Sequence, residues 1–122
     1  MSHGYSNLLV WKKAYNQTLK IYNFTKSFPK NETYGIISQM RRTSSSIIAN
    51  IAEGYGKRNL SEYLYFISIA ISSCNELEVF LLLSKDLHYL DKKDFNCLID
   101  SHVEITKMLL GLRKALEKKK ST

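Results

Sequence analysis

Apolar and small residues recur three and four positions apart through most of the segment from residue 34 to residue 83. This spacing places side chains along one seam of a helix, as in coiled coils and helical bundles. The first pattern consists of Ile37, Met40, Ser44, Ile47 and Ile51. The second consists of Tyr63, Ile67, Ala70, Cys74, Leu77 and Leu81. The segment therefore predicts two long amphipathic helices.

A glycine-containing break separates these two patterns at residues 54–56. Gly54 stands where a left-handed residue would end the first of the two helices. Asn59, followed three residues later by Glu62, has the pattern of a capping box that starts the second. Because the connection between these long helices is short, we expect them to pack antiparallel as a hairpin.

A helix is also predicted before this hairpin. It is expected to end at Phe28–Pro29, because the residue before a proline is disfavoured in the α region. Its rings could form a base-stacking platform, but aromatic stripes at helical spacing usually pack in a core or against a subunit, which is the interpretation we favour. The predicted stripe consists of Leu8, Trp11, Tyr15, Thr18 and Tyr22.

The last helix is predicted to start at a cap formed by Asp91 with Asp94, whereas residues 31–33 offer N-cap candidates for the second helix. The chain is thus predicted to be all-α, a single up-down-up-down antiparallel four-helix bundle over residues 1–122. The seam of the last helix consists of Phe95, Leu98, His102, Ile105, Leu109, Leu112 and Leu116. The predicted helices span about 8–27, 33–53, 60–87 and 92–119.

The third helix carries more apolar surface than one seam needs, because a second stripe lies beside the first. A helix that is apolar on two faces is either central in its fold or meets another subunit. One seam per helix is enough for a four-helix monomer, so this excess favours a subunit contact. The second stripe consists of Phe66, Ile69, Ser73 and Phe80.

Composition agrees with a globular helical protein: 44% of the residues are hydrophobic and 24% are charged, with one proline and five glycines. The N-terminus, MSHGYSN, lacks the basic and apolar regions of a secretory signal. The longest strictly apolar run, residues 79–83, is far shorter than the roughly 20 residues that span a bilayer. We therefore expect a cytoplasmic protein that does not enter a membrane.

The residues that most often carry chemistry are poorly grouped in this chain. If the third and fourth helices pair antiparallel about residues 88–89, Cys97 lies about seven residues or 10 Å out of register with Cys74, too far for a disulfide, so both are expected to be reduced thiols in or near the core. His102 has no second metal ligand three or four residues away, and we expect it to be a satisfied core group. The hydroxyl run at residues 43–46 has neither a GxSxG motif nor a nearby histidine. No enzyme activity, metal or cofactor is therefore predicted.

Charge adds a feature that the hydrophobic pattern does not reveal. The chain carries 18 basic and 11 acidic residues, a net charge of +7. In the predicted bundle, the end with the chain termini holds nine basic and three acidic residues, an excess of +6. Such a cationic end attracts phosphate backbones, although a solvated, solubilising end is the simpler interpretation.

Arg41 and Arg42 lie away from that end, near the middle of the predicted bundle. Pairing the two hairpin helices about residue 57 brings them within a turn of Glu76. We therefore expect at least one of the arginines to pair with Glu76 or Glu78, because the planar guanidinium can meet a carboxylate at two points.

Four segments of the chain resemble a known family: VWKKAY (10–15), FPKNETYGIISQMRR (28–42), NIAEGYGKRNLSEYLYFISIA (50–70) and NELE (75–78). They are similar to the proteins encoded within 23S rRNA intervening sequences, a family that includes accessory variability proteins of diversity-generating retroelements. The resemblance implies a four-helix bundle that assembles into a homopentamer with a central channel. It also implies that retroelement members bind reverse transcriptase and nucleic acid through a basic surface, whereas no established activity comes with the intervening-sequence members.

The chain departs from the family pattern at Ile48, where proline is frequent, and at Ile71, where glycine is common. The second helix is therefore expected to be straighter than in relatives.

Taken together, these features predict a non-enzymatic, oligomeric helical-bundle protein that binds RNA or DNA backbone, or a reverse-transcriptase-like enzyme, through a basic surface. The alternative is a structural or adaptor protein that binds an acidic protein and no nucleic acid. The candidate binding residues are Lys12, Lys13, Arg41, Arg42, Lys57, Arg58, Arg113, Lys114, Lys118, Lys119 and Lys120.

Overall fold

The structure is a computed structural model that describes residues 4–122, so the first three residues of the polar N-terminus lie outside it. Consecutive helices pack against each other, and the first also packs against the fourth, which closes the bundle. No strand is present in the described part of the chain. The predicted all-α four-helix bundle is therefore confirmed. Its helices are α1 (Leu9–Thr25), α2 (Ile36–Tyr55), α3 (Leu60–Asp86) and α4 (Lys92–Lys120).

The buried faces of α2, α3 and α4 coincide with the predicted seams. All five predicted residues of α2 are buried, and the exceptions on the other two helices are Tyr63 and Leu112, which are half-buried. Large aliphatic side chains dominate these seams, and burying one of them fully stabilises the fold by about 1.5–3 kcal/mol. The core therefore accounts for why these three helices lie where the pattern predicts.

The buried face of α1 is not the predicted aromatic stripe. Thr18 is the single residue common to both sets, and its hydroxyl donates to the carbonyl of Ser44 at 3.3 Å. The small side chain of Ala14 lets the helix approach its neighbours closely, whereas the large rings pack along its edge. The residues that α1 buries are Val10, Ala14, Gln17, Thr18, Ile21 and Thr25.

The start of α2 also differs from the prediction. Lys30–Glu32 forms a short 3₁₀ turn, and the hydroxyl of Thr33 donates to the carbonyl of Lys30 at 2.7 Å instead of capping a helix. Gly35 precedes the first helical residue and makes no side-chain cap. The N-cap candidates at residues 31–33 were therefore wrong, because local turn hydrogen bonds satisfy this segment before the helix starts.

Gly54 has a different role from the predicted left-handed cap. α2 continues to Tyr55, and no described glycine has a positive φ. A Cβ at Gly54 would lie 3.0 Å from the Cβ of Phe66 and 3.1 Å from Cδ1 of Tyr63. The glycine therefore permits the close approach of α2 and α3. The Asn59 cap is confirmed, since its Oδ1 accepts hydrogen bonds from two backbone N–H groups in the first turn of α3 at 2.7 and 3.2 Å.

A polar contact lies inside the core between α1 and α4. His102 is 1% exposed, and its Nδ1 is 3.4 Å from Nε2 of Gln17. Burial lowers the pKa of His102, and this outweighs the opposing effects of Glu78 and of a hydrogen bond to the Cys74 backbone. A neutral ring can accept from the Gln17 amide, whereas a protonated ring cannot. His102 is thus the core group that the sequence predicted.

The two cysteines are free, and they occupy different environments. Cys74 is buried against α4, where burial raises the pKa of its thiol to about 11. Cys97 lies on the exposed face of α4, so its expected place in or near the core was wrong.

α3 combines a core seam with an apolar exterior. An 18-residue window of this 27-residue helix has a mean hydropathy of 1.7, so by length and composition alone it is able to cross a membrane. The serines within the helix interrupt its apolar runs, so the length of the longest strictly apolar run does not reveal the high mean hydropathy of α3. A third of the window, 33%, is buried inside the bundle. The expected absence of a membrane segment therefore stays a prediction.

The contrast between two helical glycines predicts opposite effects of one substitution. Gly54→Ala is expected to lower the free energy of unfolding by about 1–3 kcal/mol, because the added methyl group overpacks the α2–α3 contact. Gly111→Ala is expected to raise it by about 0.5–1 kcal/mol, since a Cβ at Gly111 meets nothing within 4 Å and alanine favours a helix. Urea denaturation followed by circular dichroism measures both, and equal effects would contradict the close approach at Gly54.

The buried histidine predicts a pH dependence of stability. The folded state lowers the pKa of His102. The contribution of this residue to the free energy of unfolding is therefore fully present above about pH 6.5 and falls as the pH drops below that value. Thermal unfolding between about pH 7.5 and pH 5 is therefore expected to show a falling midpoint. His102→Gln should flatten this dependence, whereas His88→Gln, at an exposed histidine, should leave it unchanged. An equal slope in all three proteins would refute the assignment.

Candidate nucleic-acid interface

The α2–α3 connection and the end of α4 lie at the same end of the bundle. Leu64, on the second turn of α3, lines a surface pocket together with Glu117, Lys120 and Ser121 of α4. The connection carries Lys57 and Arg58, so its charges lie near those of the last turns of α4. We call this cationic surface the basic end; it consists of Lys57, Arg58, Arg113, Lys114, Lys118, Lys119 and Lys120.

The residues of the basic end differ in their local partners. Lys57 Nζ lies 3.3 Å from Glu53 Oε1 and 5.5 Å from the ring centroid of Phe66, so this side chain is held against the bundle. Arg58 is exposed, as are Lys118–Lys120. The last-turn lysines stabilise the negative end of the α4 dipole, which is a structural role that needs no ligand. The exposed cations are nevertheless accessible to a polyanion.

Lys12 and Lys13 do not belong to this end. Lys13 Nζ pairs with Glu104 Oε1 at 2.5 Å, and Glu104 precedes Lys118 by 14 residues, about 21 Å along a helix. α1 is therefore too short to reach the end of α4. The predicted nine basic residues at this end are corrected to seven, against Glu53, Glu62 and Glu117, which reduces the local excess from +6 to +4.

Arg41 and Arg42, which the sequence placed near the middle of the bundle, lie in the first half of α2, away from the basic end. Arg42 Nη2 is 2.5 Å from Glu76 Oε1, so the expected ion pair is confirmed. Arg41 instead turns towards α1, where its Nε donates to Oγ1 of Thr25 at 3.0 Å and its Nη2 donates to the carbonyl of Tyr22 at 3.2 Å. Both arginines therefore link α2 to its neighbours, and neither reaches the basic end.

α1 carries aromatic and cationic side chains on an exposed face, whereas the interpretation favoured from the sequence was that its rings pack in a core or against a subunit. Trp11 stacks on Tyr15 with ring centroids 4.9 Å apart and planes inclined by 22°, and the Trp11 indole donates to the carbonyl of Ile48 at 3.2 Å. Tyr22 lies under Arg41, whose guanidinium carbon is 4.8 Å from the ring centroid. The sequence did contain a signal for a cationic face on α1, because the first 31 residues contain five lysines and no acidic residue.

The hydroxyl run of α2 is used for packing. Ser46 Oγ lies 2.9 Å from Ser73 Oγ of α3, and Ser44 Oγ donates to the carbonyl of Arg41 at 3.2 Å. Thr43 likewise donates to the carbonyl of Gln39 one turn earlier. Small hydroxyl side chains thus bring α2 and α3 together.

Among residues 4–122, no three histidine, cysteine or acidic side chains are grouped so that they could hold a metal ion.

A solved structure shares this fold. It is a crystal structure of a protein with unknown function from the S23 ribosomal protein family of Bacteroides thetaiotaomicron, with a TM-score of 0.79 and 24% sequence identity. The similarity covers 87% of this chain and 99% of the other. A comparison with curated proteins gives no match.

The sequence itself identifies the family more directly than the fold does. The family model described as 23S rRNA-intervening sequence protein matches residues 6–111, which include all of α1, α2 and α3 and most of α4. The match thus covers both the helical core and the connection that carries Lys57 and Arg58. This chain therefore belongs to the 23S rRNA-intervening sequence protein family.

Proposed function

We propose that this chain is a non-enzymatic, cytoplasmic, oligomeric bundle that binds the phosphate backbone of RNA or DNA through its basic end. The observation that carries the proposal is the grouping of Arg58 with Lys118–Lys120, all exposed, where two elements distant in sequence meet. Lysine and arginine side chains that neutralise phosphates release condensed counterions, so this kind of binding needs no catalytic group and no base-specific contact. A nucleic-acid enzyme of the reverse-transcriptase type is a candidate partner, because it would bind the same RNA or DNA strand.

Assembly would multiply this modest patch. A local excess of four positive charges gives weak binding by one chain, whereas several copies in one particle engage a polyanion together and gain affinity through effective concentration. The resemblance to the family implies five copies around a channel. The proposed mechanism therefore couples the basic end to an oligomer.

The outer side of α3 supports assembly. Tyr65, Val79, Leu83 and Leu87 are exposed along this helix, and Tyr65 and Val79 are 62% and 60% exposed. The second stripe predicted from the sequence is only half-buried, with Ser73 bonded to Ser46 of α2. Exposed apolar patches on a small protein mark interaction sites. We call Tyr65, Val79, Leu83 and Leu87 the α3 outer strip and propose that it contacts another copy.

Charge reversal at the basic end is expected to weaken nucleic-acid binding. Arg58→Glu with Lys119→Glu should lower the affinity for generic RNA by about tenfold at low salt, and the wild-type affinity should fall steeply as salt rises, because counterion release drives binding. The matched control is Lys92→Glu with Lys93→Glu, the same charge change at exposed lysines of the opposite end. Gel shift and fluorescence anisotropy measure both.

Two outcomes would reject backbone binding at the basic end. One is the absence of any shift with RNA or DNA at low salt, and the other is an affinity that salt does not change. Binding to polyglutamate in the absence of nucleic-acid binding would instead support the adaptor alternative, in which the same cations meet an acidic protein. Equal losses in the two double variants would show that net charge matters and the basic end does not.

Light scattering tests the assembly. A pentamer of 14.1 kDa chains has a mass of about 70 kDa, and Val79→Glu with Leu83→Glu is expected to reduce it to the monomer, because two buried carboxylates would oppose the contact. Val103→Glu with Leu110→Glu is the control, since these apolar residues of α4 are 40% and 41% exposed. A wild-type mass of 14.1 kDa would contradict the proposed oligomer.

A further inference from the structure

One face of α1 carries aromatic and aliphatic side chains, with a lysine before them and another at the C-cap position after them. The positions are three and four residues apart, which places them on one side of the helix. All five side chains are exposed to solvent. We call this set the α1 stripe; it consists of Lys12, Tyr15, Leu19, Tyr22 and Lys26.

The two tyrosine rings of the α1 stripe are held from one side and open on the other. Tyr15 stacks on Trp11, which is itself fixed by its hydrogen bond to the Ile48 carbonyl, yet Tyr15 remains 42% exposed. Tyr22 lies under the guanidinium of Arg41, which Thr25 holds, and remains 41% exposed. Rings that are already oriented lose little conformational entropy when a planar ligand stacks on them.

The charged side chains of α1, and those of α2 before Glu53, have one sign. The first acidic residue of the chain is Glu32, after the end of α1, and α2 has none before Glu53 near its own end. Lys12 and Lys26 stand at the two ends of the stripe, and Arg41 adds a third cation beside Tyr22. A ligand that complements this face is therefore both anionic and aromatic.

We propose that the α1 stripe binds single-stranded nucleic acid, with unpaired bases stacked on Tyr15 and Tyr22 and phosphates near Lys12 and Lys26. The inference rests on the proposed nucleic-acid binding and adds a second surface with a defined substrate class. Bases in a duplex are already stacked on each other, whereas an unpaired base offers its face to an aromatic ring. Tyr15 and Tyr22 are about 10 Å apart along the helix, a distance that a few nucleotides span.

Charge complementarity favours a polyanion over a second copy of this chain. An apolar partner would cover Lys12 and Lys26 although α1 supplies no carboxylate for them, and burying an unpaired charge is costly. The α3 outer strip contains no cationic or acidic side chain that would complement them. Stacked bases with their phosphates satisfy both features of the face.

The test compares polyanions that differ in whether they expose unpaired bases. Tyr15→Leu with Tyr22→Leu should lower the affinity for single-stranded oligothymidylate by about fivefold per ring, since base–aromatic stacking is lost and charge is kept. Affinity for duplex DNA and for inorganic polyphosphate should change less than about twofold, because both bind through charge alone. Tyr34→Leu, at a tyrosine that is 95% exposed outside the stripe, is the control.

Tryptophan fluorescence supplies an independent readout. Trp11 is the sole tryptophan of the chain, and it stacks on Tyr15, so oligothymidylate should quench its emission whereas polyphosphate should not. The substituted tyrosines are at the surface, so we expect the double variant to fold. An unchanged circular dichroism spectrum checks this.

Three outcomes would overturn the α1 stripe as a binding site. If the double variant binds all three ligands as the wild type does, the stripe is not used and the basic end still stands. If no polyanion binds at low salt, the proposed function fails with it. If the double variant loses mass in light scattering, the stripe is a contact between copies.

Discussion

The close approach of α2 to α3 is the constraint on which the positions of the functional groups depend. Small side chains permit it at two places: Gly54 lies against Phe66 at one end, and Ser46 meets Ser73 at 2.9 Å in the middle. Towards the other end, Arg42 reaches Glu76. Larger residues on α2 would push the helices apart and would carry the connection between them away from the end of α4.

The relative lengths of the helices determine which charges meet. α1 has 17 residues and α4 has 29, so α1 can follow only part of its neighbour. The contacts of Gln17 with His102 and of Lys13 with Glu104 align α1 with the first half of α4. The last turns of α4 therefore extend past α1, and the chain presents two cationic surfaces instead of one.

The sequence predicted the parts of the fold that large aliphatic residues control. Burial of large aliphatic side chains determines which helix face is buried, because it removes the most apolar surface from water. Examples are Ile47, Leu81 and Ile105. α1 was assigned the wrong face since its buried residues include Gln17 and Thr25, which look like surface residues. Both contact partners in other helices, His102 and Arg41, which periodicity along one chain does not reveal.

The candidate site was predictable to a similar degree and for a similar reason. Counting charges required only antiparallel helices, so Arg58 and the C-terminal lysines were grouped correctly from the pattern. Lys12 and Lys13 were misplaced because the stagger of α1 against α4 comes from side-chain contacts such as that of Lys13 with Glu104. The aromatic rings of α1 were assigned to a core or to a subunit contact, and 42% of Tyr15 remains exposed in the single chain.

The two cationic surfaces differ in what they can distinguish. Under the proposed function, the long, exposed lysines on the last turns of α4 would interact with phosphates at any position along a polyanion, and this affinity would depend on salt and not on strandedness. The rings of Tyr15 and Tyr22, which contact Trp11 and Arg41, would gain energy only from a base whose face is free. Tyr15 lies near the middle of α1 and Tyr22 near its C-terminal end, whereas the lysines follow one another on the last turn of α4, so the two proposed surfaces are separate. Under the two proposals, the lysines supply the affinity that depends on salt and the rings supply the preference for unpaired bases.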